Sequence, residues 1–308
     1  MNGILPLWKE RGMTSHDCVS KLRKILHTKK VGHGGTLDPD VDGILPICIG
    51  KATKVIEFLT DSGKEYEGEI TLGYATTTED ASGEVIQQDA IKSPFTKEAI
   101  DHAMQTLVGE ITQIPPMYSA VKVNGKRLYE YARQGEVVER PQRLVKIDSF
   151  TRIDEPFYNE NKQLQSWRFK VACQKGTYVR TLAVDTGKAL GVSAHMSDLT
   201  RTKSASFTTK QAVTLEQVKT AMENGRIEDV LFPIEYGVQR FPRIDISDEL
   251  WQKVRNGMRL PYQAFQLTEM PTNPIAVFYQ NQVVSLYEPN KNEKDGLKPL
   301  KVLQNEVS

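Results

Sequence analysis

The glycine-rich segment VGHGGTLDPDVDGILPICIG, residues 31–50, constrains the local fold more than any other stretch of this chain. It places one carboxylate, Asp38, directly before the rigid ring of Pro39 and shortly after three glycines. Glycine admits backbone conformations that other residues avoid, whereas proline fixes φ, so the segment predicts a sharply turned loop rather than a helix. Such a loop presents a single side chain at a fixed angle and leaves room near His33 for a flat ligand. We interpret Asp38 as a candidate catalytic nucleophile.

Other interpretations of this segment compete with catalysis. Alternating aspartates followed by Gly43 match the first half of a calcium-binding loop, but Ile49 stands where the motif needs glutamate. The Gly50-Lys51 pair lacks the spacing of a phosphate-binding loop. An Asp-Pro pair is also common in ordinary turns, because aspartate caps turns and proline fixes φ. From the segment alone, an ordinary turn stays the main alternative.

Composition indicates an ordinary globular protein of 308 residues, with 39% hydrophobic residues and a mean hydropathy of −0.44. The first residues resemble no signal peptide, and the longest uncharged run, residues 270–287, contains two prolines, so no membrane span is expected. Three widely spaced cysteines without a CxxC motif suggest neither a disulfide framework nor a zinc site. The histidines form no ligand-spaced cluster, so no metal is expected. We expect the protein in the reducing cytoplasm.

Charge is distributed unevenly, although the net charge is only +1. Residues 57–90 contain nine acids and one lysine, whereas residues 162–210 contain nine basic residues and two acids. Residues 18–37 contain five basic residues and no acid, and residues 117–146 contain seven against three. Three basic segments could form a positive surface for phosphates, although charged runs are usually just solvated.

Periodicity predicts a mixed α/β core of about 240 residues, a boundary near Arg240, and a small β barrel after it. The chain after Pro289 is rich in polar residues, and we expect it to be frayed. The predicted helices are 14–27, 52–59, 93–108, 177–190, 214–222 and 248–256, and the predicted strands are 64–74, 164–173, 276–279 and 282–287.

Residues 115–143 form a polar, glycine-containing insert that mixes aromatic and basic side chains, including Tyr118, Tyr129, Arg127 and Arg133. Aromatic rings can stack on unpaired bases while cations hold phosphates, so the insert suits looped or single-stranded RNA. An equally good interpretation is a helix whose tyrosines pack on the core. The length and composition favour an arm that orders on binding.

Five segments in order along the chain resemble the bacterial TruB-type tRNA pseudouridine synthases. Residues 243–303 are similar, more loosely, to the small PUA-type RNA-binding barrel of these proteins. The five segments are LPLWKERGMTSHDCVSKLRK, GHGGTLDPDVDGILPICIGKATK with GKEYEGEITLGYATTTEDASGEV, PPMYSAVKVNGKRLYEYARQG, KGTYVRTLAVDTGKALG and AHMSDLTRTKSASF.

The resemblance implies an α/β (α+β) fold: a mixed, largely antiparallel sheet with flanking helices in residues 1–240, and a PUA-like RNA-binding domain in residues 241–308. It also implies isomerisation of uridine 55 in the tRNA T-loop to pseudouridine, by base flipping and without a cofactor. We expect tRNA, through its T-arm, as the partner of a monomer that binds no membrane.

Residue by residue, the resemblance assigns Asp38 as the nucleophile and Arg180 as its partner. Tyr66 matches the tyrosine that stacks on the target base and is a candidate for the proton step. His33 matches a histidine that helps to hold the loop open by stacking, and Tyr178 and Leu199 match residues of the uridine pocket. The chain departs from the family at Gly34, where threonine is usual, and at Asp42, where many members have a neutral residue. We expect the Asp42 carboxylate to point away from RNA. These departures leave the catalytic assignment unchanged.

Two other functions remain open from the sequence. One is a non-catalytic RNA-binding or RNA-folding protein in which Asp38 is only a turn residue. The other is the related guide-RNA-dependent pseudouridine synthase, for which an RNA-gripping insert would be redundant. Replacement of Asp38 by asparagine distinguishes catalysis from binding, because attack on the sugar C1′, attack on the uracil C6 and removal of a sugar proton all need the carboxylate.

Overall fold

The computed structural model describes residues 1–306, so Val307 and Ser308 of the predicted C-terminal domain lie outside the described residues. The strands, in chain order, are β1 (Gly3–Lys9), β2 (Val31–His33), β3 (Asp42–Ile49), β4 (Lys64–Leu72), β5 (Tyr74–Thr76), β6 (Val85–Gln88), β7 (Gly109–Gln113), β8 (Lys122–Val123), β9 (Lys126–Arg127), β10 (Arg143–Arg152), β11 (Phe157–Asn159), β12 (Leu164–Cys173), β13 (Ala194–Ser204), β14 (Phe207–Thr208), β15 (Arg243–Asp245), β16 (Leu260–Pro261), β17 (Ile275–Tyr279), β18 (Gln282–Pro289) and β19 (Gly296–Val302). The α-helices are α1 (Ser15–Ile25), α2 (Ile56–Thr60), α3 (Lys97–Gln105), α4 (Leu128–Arg133), α5 (Val179–Leu190), α6 (Leu215–Glu223) and α7 (Asp248–Val254).

A ten-stranded mixed sheet forms the larger part of the protein, with the main strand order β1-β3-β13-β4-β12-β10-β7. Its pairs are antiparallel except for β13 and β3, which run parallel. Buried and half-buried residues alternate strictly along β12, which pairs with β4 and β10, because successive side chains of a strand point to opposite faces of the sheet. The mixed, largely antiparallel sheet predicted from the resemblance is therefore confirmed.

Helix boundaries follow local capping. Thr14 caps α1 through a reciprocal hydrogen-bond pair with Asp17, as expected for the predicted helix start. The helix predicted from Ser93 begins four residues later, because the Thr96 side chain accepts from the Ala99 N–H and caps α3. The segment predicted as one helix over residues 52–59 is a 3₁₀ helix, Gly50–Val55, followed by α2.

A second, five-stranded sheet of order β15-β17-β18-β19-β16 curls into a half-barrel at the C-terminal end. The prediction that the chain after Pro289 is frayed was wrong, because β19 pairs with β18 there. The sheet begins three residues after Arg240, the predicted boundary. Phe278 and Leu286 of this sheet share one buried cluster with Phe58 of the larger part, so the division into two domains stays a prediction.

A helix that crosses the hydrocarbon core of a bilayer needs about 20 mostly apolar residues. None of the helices in residues 1–306 is long and apolar enough to span a membrane.

Candidate active site

The glycine-rich loop between β2 and β3 carries Asp38 next to a buried arginine of α5. Nε of Arg180 lies 3.1 Å from Oδ2 of Asp38. The two other nitrogens of the same guanidinium donate to backbone carbonyls, at 2.9 Å to Thr78 and at 3.0 Å to Tyr118. Arg180 is therefore fixed on three sides, and its Nε edge presents the positive charge to Asp38.

The charge of Asp38 depends on opposing influences. Burial raises the pKa of its carboxyl group, the Arg180 guanidinium lowers it, and the nearby Asp80 raises it again. Asp80 lies 3.7 Å from Arg180 and is itself held by hydrogen bonds from Thr78 and Ser82. The Asp38 side chain is still 43% exposed, so an incoming ligand can reach the carboxylate.

Asp38 and Arg180 lie in the wall of a cavity of about 520 Å³. Leu199 contributes an apolar part of the wall, and the insert contributes Tyr118, Tyr129 and Arg133. The wall also contains Asp40, Asp80 and Asp198, but it is the Asp38 carboxylate that lies 3.1 Å from Nε of the fixed Arg180. The aromatic side chains of the wall allow a flat polar ring to lie against that carboxylate. A larger cavity of about 730 Å³ elsewhere is lined by Lys64 and Arg240 but contains neither Asp38 nor Arg180, so it is not the candidate site.

The insert folds over this cavity rather than away from it. The Tyr129 ring lies 5.7 Å from the Arg127 guanidinium and 5.3 Å from the Arg133 guanidinium, and its hydroxyl accepts from Arg127 at 2.9 Å. Arg140 donates to the Pro115 carbonyl, which joins the two ends of the insert. Tyr129 is half-buried and lines the cavity beside these cations, so it does not pack in the core, which was the competing interpretation.

The remaining predicted residues lie outside the cavity wall. Tyr66 is 8% exposed on β4, and burial raises the pKa of its phenol while the adjacent Arg201 opposes that rise. His33 pairs with Ile47 at the start of the loop, and burial together with Arg201 lowers its pKa, which favours a neutral ring. Its Nδ1 has no hydrogen-bond partner within residues 1–306.

Tyr178 lies at the N-terminal end of α5. The Tyr178 N–H donates to Oε1 of Gln113 on β7, and Nε2 of Gln113 donates to the Tyr178 carbonyl. These two bonds fix the start of the helix that carries Arg180. Asp42, the unusual carboxylate, accepts from Thr200 at 2.6 Å and lies 3.4 Å from Arg11.

Sequence reasoning missed four polar residues around the site: Lys9, Ser15, Asp80 and Arg201. Arg201 is fully buried and follows Leu199 by two residues on β13. Since residues two apart on a strand share a face, the assignment of Leu199 to the site contained a signal for Arg201. Lys9 and Ser15 contact the loop through its backbone, and no sequence pattern predicts such contacts.

Comparison with solved structures defines the class of protein. The crystal structure of a Cbf5-Nop10-Gar1 complex matches 98% of this chain and 85% of that chain, with a TM-score of 0.74 and 28% identity. The archaeal box H/ACA Nop10-Cbf5 complex matches 98% and 86%, with a TM-score of 0.72 and 25% identity. The fold is therefore that of Cbf5.

Sequence comparison then gives the family. The profile described as TruB family pseudouridylate synthase (N terminal domain) matches residues 23–179, and that of the tRNA pseudouridylate synthase B C-terminal domain matches residues 180–239. Proteins named tRNA pseudouridine synthase B are similar to this chain in Lactiplantibacillus plantarum (53% identity, 98% of each chain) and Halalkalibacterium halodurans (50%, 99% of each chain). The chain belongs to the TruB family of pseudouridylate synthases and is an enzyme of the isomerase class.

Proposed function

We propose that this enzyme converts uridine 55 in the T-loop of tRNA into pseudouridine, with Asp38 as the nucleophile. The observation that carries the proposal is the Asp38–Arg180 pair, 3.1 Å apart, in the wall of a cavity of about 520 Å³. Relatives that are about half identical over nearly their whole length are named tRNA pseudouridine synthase B, which supports tRNA as the substrate.

The reaction is an isomerisation of one nucleotide. The bond from the sugar C1′ to N1 of uracil breaks, the base turns, and a bond from C1′ to C5 forms. The proton lost from C5 is balanced by the one gained at N1, so no oxidant, reductant or cofactor is consumed. Asp38 can attack C1′ or C6 of uracil, or remove a sugar proton, and each route uses the same ionised carboxylate. Arg180 favours that ionised form in a partly dry pocket.

Access to the cavity requires that the target base leave its stack. Extrusion of a base costs a few kcal/mol, and less in a loop where stacking is already incomplete. In this proposal Leu199 contacts the extruded uracil, while Tyr66 stacks on it and takes part in the proton step. Because Tyr66 is only 8% exposed and lies outside the cavity wall, its contact with the base requires the cavity to open on RNA binding. His33 and Tyr178 support the loop and the pocket.

The insert is proposed to grip the T-arm. It brings Tyr129 and Arg133 to the cavity, and an aromatic ring can stack on a base while neighbouring cations hold phosphates. The C-terminal half-barrel, in the proposed domain of residues 241–308, would bind a further part of the same RNA. One insert and one half-barrel suffice for one T-arm, so we propose a monomer that acts in the cytoplasm.

A stand-alone enzyme is favoured over a guide-dependent one. The identity to the tRNA pseudouridine synthase B relatives is 50–53%, against 25–28% to the Cbf5 structures. The insert at the cavity also supplies a direct RNA contact, which a guide RNA would make redundant.

Incubation of the purified protein alone with an unmodified tRNA transcript and with its T-arm hairpin tests this proposal. Nucleoside chromatography measures pseudouridine, and chemical mapping locates it. We expect conversion at uridine 55 in both RNAs and none in a hairpin with cytidine at that position. Conversion at another uridine would contradict the assigned position. Tight hairpin binding without conversion would favour an RNA-binding protein or a guide-dependent enzyme.

A further inference from the structure

Arg201 is a fully buried cation at the junction of three central strands. Its Cα pairs with Tyr66 of β4 on one side and with Gly43 of β3 on the other. Within residues 1–306 it forms no ion pair with a carboxylate, and its residue exposure is 0%. A buried charge without a counter-ion is expensive, so the contacts that hold it must be specific.

Those contacts are backbone carbonyls at both ends of the Asp38 loop. Nε donates to the Ile44 carbonyl at 2.7 Å, where the loop leaves for β3. The two terminal nitrogens donate to the Gly35 carbonyl at 3.2 Å and the Thr36 carbonyl at 3.4 Å, where the loop begins. One planar guanidinium therefore closes the base of the loop that carries Asp38, and a single ammonium could not reach all three carbonyls in this geometry.

Two further side chains fix the residues that flank Asp38. Ser15 accepts from the Leu37 N–H at 2.9 Å and donates to the Leu37 carbonyl at 3.1 Å. Lys9 donates to the Pro39 carbonyl at 3.0 Å. The loop is thus held through its backbone from its base to its tip, whereas the Asp38 side chain stays accessible to a ligand in the cavity.

Arg201 differs from Lys9 and Ser15 because it also adjoins Tyr66. The two residues are direct cross-strand partners, so their side chains emerge on the same face of the sheet. We infer that Arg201 is a positioning residue, which fixes the Asp38 carboxylate and the Tyr66 phenol relative to each other during the chemical step. Arg201 is fully buried and each of its three guanidinium nitrogens donates to a loop carbonyl, so we expect its effect on the rate of the bound complex and not on RNA affinity. This inference rests on the proposed function of Asp38.

The test compares Arg201→Lys and Arg201→Met with Arg152→Met as a matched control. The Arg152 guanidinium also donates two hydrogen bonds, from Nε at 3.0 Å and from Nη2 at 2.9 Å to the Asp101 carboxylate. These bonds join β10 to α3, away from the loop. Folding is followed by circular dichroism, affinity by hairpin binding, and the chemical step by single-turnover pseudouridine formation with saturating enzyme.

Arg201→Lys keeps the positive charge but loses the planar guanidinium with its several donors. We expect its single-turnover rate to be at least about 100-fold lower, because displacement of a catalytic group by about 1 Å lowers rates by this factor. Hairpin affinity should stay within about threefold of wild type, a limit that corresponds to about 0.7 kcal/mol. Arg152→Met should lose stability but keep the wild-type rate in the folded protein. Arg201→Met should lose at least as much rate as Arg201→Lys.

Three results would overturn the inference: a wild-type rate in Arg201→Lys, parallel losses of affinity and rate, or failure of both Arg201 variants to fold. The last would leave Arg201 a role in stability alone. Asp38→Asn, measured in the same assay, distinguishes failure of the proposed role of Arg201 from failure of the proposed role of Asp38. If Asp38→Asn is inactive and Arg201→Lys is fully active, only the role of Arg201 fails. If Asp38→Asn retains conversion, the proposed function of Asp38 fails first.

Discussion

Lys64 provides a sharp test of the electrostatics beneath the glycine-rich loop. Its ammonium donates to the Thr60 carbonyl at 2.8 Å and the Ser62 carbonyl at 2.9 Å. Burial, and next the charge of Arg201, lower its pKa from 10.5 to about 8. Each pKa unit corresponds to about 1.4 kcal/mol, so keeping Lys64 charged in the folded protein at neutral pH costs about 3 kcal/mol.

The sign of the pH dependence follows from proton binding. Between pH 8 and 10.5 the unfolded chain holds the Lys64 proton and the folded protein has lost it, so stability rises with pH in this window. Lys64→Met removes the titrating group. We expect the free energy of unfolding of wild type, minus that of Lys64→Met, to increase by about 3 kcal/mol between neutral pH and about pH 11.

Urea unfolding of both proteins at a series of pH values measures this difference, and contributions from other groups cancel in the subtraction. Lys29→Met serves as the control, because Lys29 is exposed and its loss removes the same formal charge. If the difference in the free energy of unfolding between wild type and Lys64→Met stayed constant from neutral pH to about pH 11, the burial of the charged amine would be refuted.

Two further predictions concern packing. Gly43→Ala should lose more than about 4 kcal/mol in urea unfolding, because a Cβ would lie 2.2 Å from the Arg201 carbonyl oxygen at a φ of +116°. Gly109→Ala, with φ +100° but no atom of residues 1–306 within 4 Å of a Cβ, should lose only about 1–2 kcal/mol, and equal losses would contradict the role of the close approach. All three cysteines are buried, and burial raises the pKa of Cys48 to about 12 and of Cys173 to about 11, so a thiol reagent should label none in the native protein and three after unfolding. Labelling of any thiol in the native protein would show that the buried regions open.

Strands and helices that show clear alternation or capping within their own residues could be predicted from the sequence. Alternation along residues 164–173 marks β12 to the residue, and the Thr14 cap marks the start of α1. The strand β19 was missed because GLKPLKV combines lysines with Pro299 and shows no alternation of strand-forming residues. Beyond Leu297, β19 has β18 as its pairing partner and β16 ends, so Pro299 lies on an edge where a missing N–H is tolerated.

The residues of the candidate site also differ in whether local sequence could predict them. Asp38 could be predicted because the glycines before it and Pro39 after it mark a sharply turned loop, and Arg180 was predicted from the resemblance. Arg201 and Lys9 act through carbonyls of residues distant in sequence, and such contacts depend on strand register rather than on motif. Asp80 was not predicted because it lies in TTTED, residues 76–80, a run of threonines and acids that is typical of a solvated turn. The geometry was therefore needed to show that one guanidinium, that of Arg180, holds Asp38 and the Tyr118 backbone of the insert together.

The central claim is that the Asp38 carboxylate performs the chemistry. The most direct measurement is single-turnover pseudouridine formation in the T-arm hairpin by Asp38→Asn at enzyme concentrations that saturate binding. Asparagine keeps the size of the side chain and removes its charge, so we predict hairpin binding close to that of wild type and no detectable pseudouridine. Pseudouridine formed by Asp38→Asn at a measurable rate would contradict the claim and make Asp38 a turn residue.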